Sequence, residues 1–199
     1  MQMRILLDRR WWLIAMAAAV LVLQWCYPTA AMTIWPPFAI VAAAIAMFWS
    51  ELRTYDWGAL KRGAFWEAVF YAVTQGMIAQ AAGIVVVQYG FGVASPALPF
   101  ALTPGVVISA VVFSGILEEL VYRKSLFGLI DRKIGFWPAA CVSSVLFALA
   151  HANVSAYLGY FLLGLVWCRA YRRMGNIGIV IAAHMAFNVI AMFVMAGRG

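Results

Sequence analysis

Four long runs of this chain carry no Asp, Glu, Lys or Arg. They cover residues 11–50, 68–117, 134–168 and 174–197, which makes them 40, 50, 35 and 24 residues long. A helix that crosses a bilayer needs about 20 consecutive apolar residues. The first three runs therefore hold two crossings each and the last holds one. Turns are expected at Pro28 to Pro37, at Tyr89 to Gly92 with Pro96 to Pro99, and near Asn153-Val154-Ser155. The chain reads as an all-α polytopic bundle of about seven spans with a polar intramembrane cavity, a single integral membrane domain over residues 1–199. Composition supports this: 66% of residues are hydrophobic and 11% charged, against about 25% charged in a water-soluble domain. An ordinary soluble domain and a disordered chain are both excluded.

The charges alternate by loop. Arg4, Arg9 and Arg10 precede the first span, and Arg53, Lys61 and Arg62 follow the second. Arg123, Lys124, Arg132 and Lys133 follow the fourth, and Arg169, Arg172 and Arg173 follow the sixth. The intervening connections hold no Lys or Arg, so every second loop is marked as cytoplasmic. The expected location is an inner or plasma membrane, with the N-terminus cytoplasmic. A net charge of +7 orients helices here rather than recruiting nucleic acid. The basic start and following apolar run resemble a signal peptide. The bulky Trp25-Cys26-Tyr27-Pro28 is a poor cleavage site, so this segment reads as a retained span. Cys26, Cys141 and Cys168 are odd in number and form no CxxC pair; they are expected to pack as small apolar residues.

Polar residues inside apolar segments carry the chemical information, because an ionised group at mid-membrane costs about 2.5–3.5 kcal/mol on insertion scales. Three groups stand out. Glu118 and Glu119 begin a stretch that ends in Arg123, on a helix started by Thr103-Pro104. Neighbours on a helix point about 100° apart, so the two acids face differently. Glu119 and Arg123, four apart with the acid first, suit an ion pair. Glu118 is left without a local cation; partial desolvation beside a second acid suits a general base or acid. Phe147 and His151 share one helix face, and His184 and Asn188 share another, where two donors can hold an oxyanion. Each group alone also has a plainer reading: a charged helix end, a packed histidine, hydrogen bonds between spans.

Taken in order, Glu118-Glu119-x-x-x-Arg123, Phe147-x-x-x-His151 and His184-x-x-x-Asn188 resemble the CPBP family. This family comprises CAAX proteases and bacteriocin-processing or immunity proteins, also called Abi. The resemblance covers roughly residues 104–190 and implies a catalytic helical core there. It implies a glutamate-dependent intramembrane endopeptidase acting on a membrane-associated protein or peptide. Glu118 and His151 would activate water, His184 and Asn188 would stabilise the oxyanion, and the Glu119–Arg123 pair would orient the site.

Glu118, Glu119, His151 and His184 are donor types that zinc accepts, but no HExxH is present. No metal or other cofactor is expected, with zinc left open. A rhomboid GxSG and a pair of intramembrane aspartates are both absent. Two further functions compete: a non-catalytic membrane immunity or partner-binding protein of the same fold, and a small proton-coupled transporter. Against the transporter stands the lack of an inverted repeat. The two key residues also sit at awkward depths. Glu118 lies 14 residues past Pro104 and His151 lies 17 past Ile134, so they meet only if the helices tilt or their ends shift.

Overall fold

The computed structural model describes residues 8–94, 101–151 and 153–196. The expected break at Pro96 to Pro99, and Arg4, lie outside the described residues. Eight helices follow one another: α1 Arg9–Cys26, α2 Ala30–Met47, α3 Trp49–Thr54, α4 Gly63–Val85, α5 Pro104–Ile134, α6 Phe136–Leu149, α7 Tyr157–Met174 and α8 Ile177–Ala196. A π-helical turn, Val86–Gly90, extends α4. No strand occurs among the described residues.

Seven helices overlap the charge-free runs and α3 is a short addition, but α5 continues past its run from Glu118 to Ile134, through the charges expected in a loop. Among the described residues five stretches are long and apolar enough to cross a membrane: Ala30–Met47, Gly63–Gly90, Pro104–Ile134, Val154–Met174 and Ile177–Val194. The helix α1 opens with two arginines, and α6 has only 14 residues. Large apolar side chains such as Trp12, Phe70, Tyr89 and Phe193 cover the outside, as a lipid-facing surface requires.

The turn expected over Pro28 to Pro37 is shorter than that. Thr29 caps α2 through its hydroxyl, and Pro36 and Pro37 lie inside the helix. Each proline withholds an N–H from the carbonyl four residues earlier. Those carbonyls belong to Met32 and Thr33. Both are satisfied from neighbouring helices: Gln24 Nε2 donates to Met32 O at 2.9 Å, and Ser109 Oγ donates to Thr33 O at 2.7 Å. The prolines thus bind α2 to α1 and to α5 instead of ending the helix.

Helix α5 is the central element. On one side Leu117 and Val121 pack with Leu13, Ile40, Val41 and Phe48. On the other side stand α6, α7 and α8. Helices α4 and α7 approach closely because Gly83 faces Gly159, where a Cβ would lie 2.5 Å from the opposing Cα; small residues serve this purpose between membrane helices. Gly135 and Gly175 take positive φ at the ends of α5 and α7, a conformation open to glycine at no steric cost.

The basic helix ends gather at one end of the bundle. Glu51 ion-pairs with both Arg9 and Lys124, Asp131 with Arg172, and Asp8 with Arg10. Arg123 is the exception among the cations assigned to loops. It is fully buried within α5, because Glu119 gives it a partner inside the bundle.

Candidate active site

The two glutamates of α5 have different surroundings, as their angular separation requires. Glu119 is fully buried, and its Oε1 accepts from Arg123 at 2.9 Å and lies 2.8 Å from His184 Nδ1. Glu118 keeps 24% side-chain exposure and lies 3.8 Å, through Oε2, from Nε2 of both His151 and His184. That distance is too long for a direct hydrogen bond and suits one bridging water molecule. Glu118 Oε2 is buried without a hydrogen-bond partner in the protein. The stretch directly after Glu118, Glu119–Phe127, which carries Glu119 and Arg123, is wound as a π-helix, a form concentrated at functional sites.

His151 reaches Glu118 because α6 stops at Leu149 and His151 lies in the turn beyond it. Its Nδ1 lies 2.8 Å from Phe147 O, one of the carbonyls a helix leaves open at its end. A carbonyl only accepts, so Nδ1 carries the proton, and the neutral ring turns its Nε2 lone pair toward Glu118. His184 Nδ1 likewise donates, with the Glu119 carboxylate as acceptor. The conflict of depths is resolved by this early helix end.

Asn188 is placed differently from the other five residues. Its Nδ2 donates to Ala110 O at 2.8 Å, in the π-helical turn Ser109–Ser114 of α5. It ties α8 to α5 and leaves one N–H of its amide uncommitted. Helices α5, the end of α6, and α8 thus supply all six residues singled out from sequence, and the structure clusters Glu118, Glu119, Arg123, His151 and His184 in one connected group.

Aromatic rings complete the enclosure. Tyr160 stacks on His151 with centroids 3.9 Å apart, and Trp167 lies 4.6 Å from the His184 ring. The Arg123 guanidinium sits 4.3 Å from the Phe147 centroid and 5.2 Å from that of Trp167, so ring faces replace the partners its Nε and Nη2 lack. Tyr160 and Trp167 were not legible as site residues. Their one signal is a seven-residue spacing on α7, which many packed helices share. Among the described residues no group of three or more His, Cys, Asp or Glu side chains could hold a metal ion.

Comparison with known proteins bears on the same part of the chain. Residues 99–190 match the family model described as type II CAAX prenyl endopeptidase Rce1-like. Residues 99–190 form a CPBP-family segment. The chain is 33% identical over 89 residues to the protein named "Putative membrane peptidase YdiL" of Bacillus subtilis, covering 45% of this chain and 36% of that one. It is 35% identical over 79 residues to the membrane-embedded CAAX protease MroQ of Staphylococcus aureus, covering 37% of this chain and 32% of the relative. UPF0177 protein YbdJ of Lactococcus lactis is 38% identical over 81 residues, or 40% and 34% of the two chains. Each match thus spans about a third of the relative's length. No solved structure matches. The three motifs all lie within the CPBP segment.

Proposed function

We propose that this chain is an intramembrane endopeptidase that hydrolyses a peptide bond of a membrane-associated protein or peptide. One observation carries the reading. The buried, unpartnered Oε2 of Glu118 lies 3.8 Å from two imidazole Nε2 atoms. Glu118 Oε2 and His151 Nε2 are both acceptors and need a proton donor between them, and water is a donor of the right size. Water that gives one hydrogen to Glu118 and the other to His151 keeps a lone pair for attack.

The reaction then runs as follows. Glu118, assisted by His151, takes a proton as the water oxygen attacks the scissile carbonyl carbon. The oxygen of that carbonyl becomes an oxyanion. His184, backed by Glu119 and protonated at Nε2, and the free N–H of Asn188 donate to it; one such donor is worth about 10²–10³ in kcat. The C–N bond breaks as the proton held by Glu118 and His151 passes to the leaving amine. Arg123 offsets the charge of Glu119 and holds it against His184. The attacking water supplies the proton that reaches the leaving amine, and Glu118 and His151 relay it, so no cofactor is invoked. The charged end of the bundle is taken as the cytoplasmic face, by the loop charges.

The test is mass spectrometry of membrane-protein termini from cells with the native chain and with Glu118→Gln. New termini that vanish in the variant support the reading. Identical termini in both overturn it.

A further inference from the structure

A cleft of about 240 Å³ lies beside the candidate site. Its walls include Leu21 and Trp25 of α1, Pro28 of the turn, Met32 of α2, Ser114 of α5 and Ala150 beyond α6. Its lining is mainly apolar. Two of these residues fix its place relative to the chemistry. Ser114 lies four residues before Glu118 on the same helix, about 6 Å along the axis. Ala150 directly precedes His151. The cleft is held in shape by the proline device of α2: Gln24 and Met32 both line it, and their hydrogen bond spans α1 and α2.

We infer that this cleft receives one apolar side chain of the substrate, next to the scissile bond, and that the α1–α2 hairpin sets which side chain fits. The inference rests on the peptidase reading. The volume is below the roughly 300–1,000 Å³ of a pocket for a whole small molecule and suits a single residue. A peptide whose carbonyl lies at Glu118 and His151 brings a neighbouring side chain within reach of Ser114 and Ala150. Leu21, Trp25, Pro28 and Met32 lie outside residues 99–190, the matched segment. Selectivity thereby draws on a part of the chain that the chemistry does not use.

The test uses the full chain in native membranes, with termini profiled by mass spectrometry for the native protein, Glu118→Gln, Met32→Phe and Met32→Ala. Met32→Phe fills the cleft and Met32→Ala enlarges it. Glu118-dependent termini should shift toward small side chains at one fixed position beside the cut in Met32→Phe, and toward bulky ones in Met32→Ala, by about tenfold in relative frequency. Thermal unfolding of each purified variant identifies one that fails to fold, and the other then decides. Glu118-dependent cleavage with the same side-chain profile in all folded variants overturns the inference and leaves the peptidase reading intact. Absence of Glu118-dependent termini overturns both. A lipid retained by the native protein in native mass spectrometry and lost from Met32→Phe, with an unchanged profile, assigns the cleft to an acyl chain and overturns the inference.

Discussion

His184 Nδ1 and Glu119 Oε1 lie 2.8 Å apart across two helices, and the same carboxylate oxygen accepts from Arg123. One buried atom thus fixes the orientation of an imidazole and offsets a buried cation. Its neighbour Glu118 does neither, and the two acids should fail differently when changed.

Glu119→Gln leaves Arg123 buried without its counter-charge. Removing one partner of a buried pair costs about 3–5 kcal/mol. Purified Glu119→Gln should lose that much stability against denaturant, whereas Glu118→Gln should stay within about 1 kcal/mol of the native protein. Equal losses in the two variants would contradict the division of roles.

Activity should divide the other way. Glu118→Gln should lower turnover by about 10²–10⁴ with its fold intact, the range of a removed general base. Under the proposed mechanism a strong chelator should leave the native rate unchanged. Loss of activity on chelation, restored by zinc, would replace the metal-free scheme.

The proline-freed carbonyls give a coupling that can be measured. Gln24→Leu leaves the part-buried Met32 O without a donor, at about 1–3 kcal/mol. Pro36→Ala returns the missing backbone N–H and should recover most of that loss in the double variant. Additive losses in a double-mutant cycle of denaturant unfolding would show that the two groups do not share the carbonyl.

Asp8 caps α1, accepting from Arg10 N. The hydrogen bond from the Arg10 side chain holds its carboxyl at about 2, below the ordinary 3.8. A carboxylate with a lowered folded-state value stabilises the protein above the unfolded value, and that contribution fades as pH falls through the folded one. Thermal stability should drop between pH 3.8 and 2 by more in the native chain than in Asp8→Asn. The ion pairs of Glu51 with Arg9 and Lys124 work in the same direction. Burial raises its carboxyl, but Lys124 and Arg9 outweigh burial and hold it below the ordinary glutamate value.

Much of this architecture could be read from the chain. Charge-free runs located seven helices, because burying a charge in lipid is costly. The spacing of Glu119 and Arg123 announced their ion pair and separated Glu118 from it. Other features left no such mark. Where α6 ends inside a run without charges is set by packing, so the approach of His151 to Glu118 was not visible. Pro36 and Pro37 were read as a turn, since their rescue depends on Gln24 and Ser109 from other helices. Arg123 was counted with the loop cations because its burial depends on ring faces from α6 and α7. The bond from Asn188 to Ala110 belongs to a π-helical turn that sequence spacing does not reveal.

The 14 residues of α6 amount to about 21 Å of helix, against a hydrocarbon layer of about 30 Å. Lipid beside so short a rod must thin or let headgroups sink inward. A bilayer crossed by α6 is therefore expected to dimple next to His151, and such a dent would bring hydration to Glu118 and His151 from the side.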